Sequence, residues 1–123
     1  MKSQWIDHKC KKILYMDLSN FKDDAKAFEA ELTEVVATIG QEMYSKPLHS
    51  VPVLVDLSNT TMTQAVQKLL IDRIKDTKKY VALTAVVGMT GIRKMFLDFF
   101  ARLAGSETGS FEETETAKEW LVR

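Results

Sequence analysis

The sequence contains a single cysteine, Cys10, so no internal disulfide can form, and no Cys/His spacing suited to zinc is present. It carries no excess charge of either sign, with 17 basic residues against 17 acidic ones. No global field therefore favours nucleic acid or an anionic membrane, and either partner would need a local patch. Residues Met1 to His8 lack the apolar core of a signal peptide, and no run approaches the length of a membrane span. Low-complexity tracts, linkers, a Walker lysine pattern and a GxGxxG loop are also missing. These absences point to a cytoplasmic protein with no integral membrane association, no nucleic-acid partner, no cofactor and no metal.

What is present is the composition of one ordinary globular domain spanning residues 1–123, with 46% apolar and 28% charged residues. Two domains would each be too small to bury a good core. The apolar run Ile13-Leu14-Tyr15-Met16 reads as a strand and ends in Asp17-Leu18-Ser19-Asn20, residues suited to a turn and a helix N-cap. Ala25, Phe28, Leu32, Val35, Val36 and Ile39 then recur at spacings of three and four, predicting a helix from about Asp23 to Ile39 with Gly40 as its stop. Val53-Leu54-Val55 starts a second unit and is followed by Asp56-Leu57-Ser58-Asn59, the same tetrapeptide again, and by a helix from about Thr63 to Lys75. A third unit has the strand Val81 to Val87, the turn Gly88-Met89-Thr90-Gly91 and a helix Ile92 to Leu103. A short strand around Thr108 to Phe111 and a helix from about Thr114 to Leu121 close the chain. Four alternations of strand and helix predict an α/β fold, a four-turn βα superhelix on a mainly parallel sheet.

Several of these pieces resemble a known family. They are His8-Lys9 leading into Lys12-Ile13-Leu14-Tyr15-Met16-Asp17, then Val53-Leu54-Val55-Asp56, Lys79-Tyr80-Val81 and Ala85-Val86-Val87-Gly88-Met89-Thr90-Gly91. Phe111 followed by Ala117-Lys118-Glu119-Trp120-Leu121 completes the set. The chain resembles the small bacterial STAS-like domains shared by sulphate transporters and anti-sigma-factor antagonists, and more closely the branch labelled STAS or Sec-fourteen-type. The resemblance implies the fold and no activity. Anti-sigma antagonists present a phosphorylatable serine in an Asp-Ser-Ser/Thr-Gly turn. The matching stretch here offers Ser58, Thr60, Thr61 and Thr63 as phosphoacceptors but lacks that motif. A phosphate at a helix N-terminus is electrostatically favoured; the alternative role of such hydroxyls is helix capping.

The candidate chemistry gathers at the carboxyl ends of the strands, where ligands of open α/β sheets bind. That edge is expected to bring together Asp17, Ser19, Asp56, Ser58, Gly88, Thr90 and Gly91 as a site for a small anionic or amphipathic ligand. Backbone N–H groups at a helix start hold anions, and glycines permit close approach; the competing reading of Gly88 to Gly91 is a tight turn capped by Thr90. Asp17 and Asp56 could pair for acid–base work or a hard cation, but with no third ligand evident, local turn hydrogen bonding accounts for them equally. His8 and Cys10 would share one face of an extended stretch, without an oriented base to make the thiol reactive. The Lys9, Lys11, Lys12 run reads as a solvated approach to the first strand or, alternatively, as a phosphate contact. No nucleophile–base pair can be assembled, so the expectation is a protein that is not an enzyme. Helix 92–103 is unusually apolar. Ile92, Met95, Phe96, Phe99 and Leu103 make one face that Leu97 and Phe100 widen, more than one sheet needs to cover it. Met95, Phe96, Leu97, Phe99 and Phe100 are therefore the expected interface of a homodimer or of another protein partner, the competing reading being a well-buried central helix, and the leading reading is a regulatory, self-associating interaction module.

Overall fold

The computed structural model describes residues 1–88 and 107–123. Five strands form one sheet in the order β1 (Gln4–His8), β2 (Lys11–Asp17), β3 (Val51–Asp56), β4 (Val81–Val87) and β5 (Glu107–Phe111). All neighbours from β2 to β5 are parallel, and β1 pairs antiparallel with β2. Among the described residues the helices are α1 (Ala25–Met43), α2 (Gln64–Ile74) and α3 (Thr114–Leu121), with a short 3-10 turn at Lys78–Tyr80. The mainly parallel α/β architecture read from the sequence is the one observed. The expected helix 92–103, with Met95, Phe96, Leu97, Phe99 and Phe100, lies outside the described residues, as do Thr90 and Gly91. No helix among the described residues is long and apolar enough to cross a membrane.

Side-chain alternation explains the two layers. In β3, Val51, Val53 and Val55 face α1 and α2, whereas Leu54 faces α3. Both faces are buried, which is why the central strands read as continuous apolar runs. On α1, Phe28, Leu32, Val35, Ile39 and Met43 form the buried stripe. Asp24 caps this helix by accepting from the Ala27 N–H at 3.0 Å. Gly40 does not end it. The stripe runs one turn further, to Met43, and burial of that turn outweighs the weak helix propensity of one glycine.

The first strand has no counterpart in the sequence reading. Gln4 to His8 reverses onto Lys11 to Tyr15 through a two-residue turn, with His8 opposite Lys11. Lys9 (φ 49°) and Cys10 (φ 68°) both sit in the left-handed region, as hairpin turns with the twist of the strands require. His8 and Cys10 therefore do not share an extended face. Lys9 ties the turn to α3 through Glu119 at 2.6 Å, and its ammonium holds that carboxylate below the usual glutamate range. Replacing Cys10 with glycine removes the left-handed penalty of a Cβ but adds backbone entropy to the unfolded chain. The net expectation is a gain of about 0.5 kcal/mol and a melting temperature higher by roughly 2 °C, measurable by thermal denaturation.

Candidate functional site

The two Asp-Leu-Ser-Asn tetrapeptides leave adjacent parallel strands side by side, and Asp17 is the register partner of Asp56. Neither tetrapeptide caps a helix. Each aspartate instead folds back on its own turn: Asp17 Oδ1 accepts from the Ser19 N–H at 3.2 Å, and Asp56 Oδ1 accepts from the Ser58 N–H at 3.0 Å. The Ser19 hydroxyl also donates to Asp17 Oδ1, at 2.5 Å. Between them, Leu18 and Leu57 are buried and pin both turns to the core.

The two turns interlock. Leu18 donates its N–H to Asp56 O at 3.0 Å, Asn20 to Ser58 O at 2.7 Å and Lys22 to Asn59 O at 2.8 Å. The Asn59 side-chain amide donates to Asn20 Oδ1 at 2.9 Å. An isolated parallel bridge, Lys22 to Thr60, carries the β2–β3 pairing beyond the strand ends. Asn20, Lys22 and Asn59 adopt φ of 63°, 54° and 55° and are exposed, so three left-handed residues are displayed together at one rim. Gly88 closes the row. Its φ is +84°, and a Cβ there would lie 2.0 Å from Ser58 Oγ.

Asp17, Ser19, Asp56, Ser58 and Gly88 are thus brought to one edge, as expected. The proposed phosphoacceptors separate by environment. The Thr60 hydroxyl donates to Leu18 O at 2.6 Å and accepts from the Phe21 N–H at 3.2 Å, so it is part of the interlock. Thr63 caps α2 by accepting from the Val66 N–H at 3.2 Å. Ser58 is packed against Gly88, and Thr61 is exposed.

Four residues of this region were not singled out in the sequence. Tyr15 donates to Asp56 Oδ2 at 3.0 Å, and burial, that hydrogen bond and the charges of Asp56 and Asp17 push its phenol above the usual range. Lys2 lies 3.5 Å from Asp17 Oδ1, donates to Ser19 O at 2.5 Å and stands 4.4 Å over the Phe21 ring. Ser3 donates its hydroxyl to buried Glu31 at 2.8 Å and accepts from the Asp17 N–H at 3.0 Å. The Lys2 and Ser3 contacts depend on the placement of the first strand, so the sequence carried no signal for them once the hairpin was missed; the Tyr15 bond instead joins β2 to β3. Among the described residues no group of three or more His, Cys, Asp or Glu gathers as a metal set.

No protein-family profile matches the chain, and no curated protein does. A solved structure matches across 97% of this chain and 91% of its own, with a TM-score of 0.73 at 10% identity. It is described as an uncharacterised protein of the DUF3478 family with a SpoIIAA-like fold, from Shewanella loihica PV-4. This chain has the SpoIIAA-like fold. That is the STAS-like fold implied by the sequence resemblance, reached here through superposition rather than residue identity. Within the SpoIIAA-like fold the double Asp-Leu-Ser-Asn edge occupies the carboxyl ends of β2 and β3.

Proposed function

We propose that this protein is a non-enzymatic regulatory module that acts by binding protein surfaces, a second copy of itself among them. One observation carries the reading: the polar groups of the candidate edge are committed to one another. Asp17 holds Ser19 and lies beside Lys2, Asp56 holds the Ser58 N–H and Tyr15, and Thr60 holds Leu18 and Phe21. General acid–base or nucleophilic catalysis needs a base aimed at a reacting group rather than at its own turn. What the edge offers is a pre-ordered rim on which Asn20, Lys22 and Asn59 are exposed. Holding strained backbone at a surface costs free energy, and recognition loops on rigid scaffolds are a common use for it.

The proposed self-association is placed on the 92–103 segment from its sequence alone, in which Met95, Phe96, Leu97, Phe99 and Phe100 are apolar. At micromolar concentration, size-exclusion with light scattering is expected to give twice the 14.0 kDa of one chain. Phe100→Asp should return it to one chain's mass. A wild type that stays monomeric at every concentration up to about 100 µM, well above the dissociation constant of an ordinary homodimer, would count against this part of the reading.

The alternative, a small anionic or amphipathic ligand at the same edge, has less support. Asp17 and Asp56 place two carboxylates where the anion would sit. The apolar cavity between the sheet and the α1–α2 layer, lined by Leu14, Val55, Leu70 and Ile74, holds about 40 Å³. A lipid-like ligand needs several hundred, roughly 300–1,000 Å³.

A further inference from the structure

At the opposite end of the sheet, where the parallel strands begin, the charge pattern reverses. A groove of about 460 Å³ crosses the starts of β2, β3 and β4, and its described lining includes Trp5, Lys11, Lys12, Lys46, Leu83 and Arg123. The sheet itself makes room for it. Val51 pairs with Val81 but Pro52 pairs with Leu83, so Ala82 is an extra residue in β4. Such a bulge bends its strand and turns side chains out of register, and Pro52 has no N–H to offer a neighbour. The hairpin supplies Trp5 on β1 and Lys11 and Lys12 on β2. Lys46 arrives on the segment after α1, with its ammonium 5.5 Å from the centroid of the Trp5 ring.

We infer that this groove is a binding site for a small soluble organic phosphate. Lys11 and Lys46 are exposed and stand in no ion pair among the described residues. Two carboxylates reach lining residues and are already engaged there: Asp7 lies 3.4 Å from Lys12, whose charge it offsets, and Glu42 accepts from the Trp5 indole N–H at 2.5 Å, which leaves Lys11 and Lys46 as the ammonium groups that would meet the phosphate. Part of the positive charge balances the carbonyl end of α1, at which Lys46 sits. Lys11, on a strand start, has no such duty. The same lining includes the apolar side chains Trp5, Pro52 and Leu83, which suit a phosphate ester's organic part. A bare lysine cluster on a convex face would serve a membrane or a polymer; a concave space of this volume fits one small molecule. The site is separate from the Asp-Leu-Ser-Asn edge and does not depend on the interaction role proposed above.

The test is an NMR titration of the full chain with sodium tripolyphosphate, which isolates the anionic part of the ligand. The expected result is saturable shifts at the Trp5 indole and at the amides of Lys11, Lys12, Val51, Ala82 and Leu83, while Ser19, Ser58 and Gly88 stay unmoved. The double variant Lys11→Glu/Lys46→Glu should weaken binding by at least about tenfold, the equivalent of one lost charge-assisted contact. Lys26→Glu, an exposed charge change on α1, should leave it unaltered, and the spectra report directly that each variant is folded. Absence of saturable shifts, shifts centred on Ser19, Ser58 and Gly88, or equal weakening by Lys26→Glu would each overturn the assignment. So would retention on phosphatidylglycerol vesicles without any response to tripolyphosphate.

Discussion

Gly88→Ala is expected to destabilise the protein by about 3 kcal/mol, with a melting temperature lower by roughly 10 °C, because two separate penalties coincide there. The first is conformational: φ is +84°, a region where an L side chain is strained. The second is steric, since the new Cβ would stand 2.0 Å from Ser58 Oγ and 2.7 Å from both Ser58 Cα and Ser58 N. A hydroxyl can rotate away, but the backbone atoms cannot. The Ser58 N–H is held by Asp56, and the Ser58 carbonyl accepts from Asn20, so moving Ser58 disturbs both turns at once. Pairing Gly88→Ala with Ser58→Gly relieves only the hydroxyl contact, and less than half of the lost stability should return. Urea unfolding of the two single variants and the double variant gives the coupling directly. A Gly88→Ala protein within about 0.5 kcal/mol of wild type, the range of an ordinary surface change, would show that the rim yields easily and is not pre-ordered.

The central fold was legible because its signals are local. Val53-Leu54-Val55 and Val81 to Val87 announce strands covered on both faces, and the spacing of Phe28, Leu32, Val35 and Ile39 announces a helix. The repeated tetrapeptide correctly pointed to two equivalent turns at one edge. Its role as helix caps was misread, because aspartate and serine bond equally well to their own turn or to a helix start; the helices are capped later, by Asp24 and Thr63. The hairpin was illegible for a different reason. A turn with two positive φ angles normally advertises itself by Asn-Gly or Asp-Gly, and here the same backbone is built from Lys9 and Cys10. Trp5 and Ile6 alone make too short an apolar run to announce a strand. With β1 missing, the buried contact of Glu31, the position of Lys2 and the lysine groove at the strand starts all lost their partners. Each of these is a long-range contact that no window of neighbouring residues contains.

Glu31→Ala should cost about 3 kcal/mol, a large loss for an acidic residue on a helix, because this carboxylate is buried at 7% exposure and fully used. It accepts from the Lys2 N–H at 3.0 Å, the Ser3 N–H at 2.9 Å and the Ser3 hydroxyl at 2.8 Å. Truncation strands two buried donors on Ser3 and a half-buried one on Lys2. Glu31→Gln keeps the volume but replaces an acceptor oxygen with an amide that donates, so it should lose an intermediate amount. The pH dependence carries the sign. Burial alone would raise the Glu31 pKa, but the Lys2 N–H and the hydroxyl and N–H of Ser3 together hold it below the ordinary 4.5. A carboxyl more acidic in the folded state binds its proton more readily when unfolded. Its contribution is complete above pH 4.5 and disappears as the pH falls through the lower folded value. Urea melts of the wild type between pH 7 and pH 3 should therefore show a loss of stability that Glu31→Gln largely lacks. Hydrogen exchange locates the effect: in Glu31→Ala the amides of Lys2, Ser3 and Asp17 should exchange faster than those of β3 and β4. The Asp17 amide is included because its acceptor is the Ser3 hydroxyl at 3.0 Å, so the buried glutamate, the first strand and the turn after β2 form one connected chain. Uniform acceleration across the sheet would mean that Glu31 supports the whole domain rather than the attachment of its first strand.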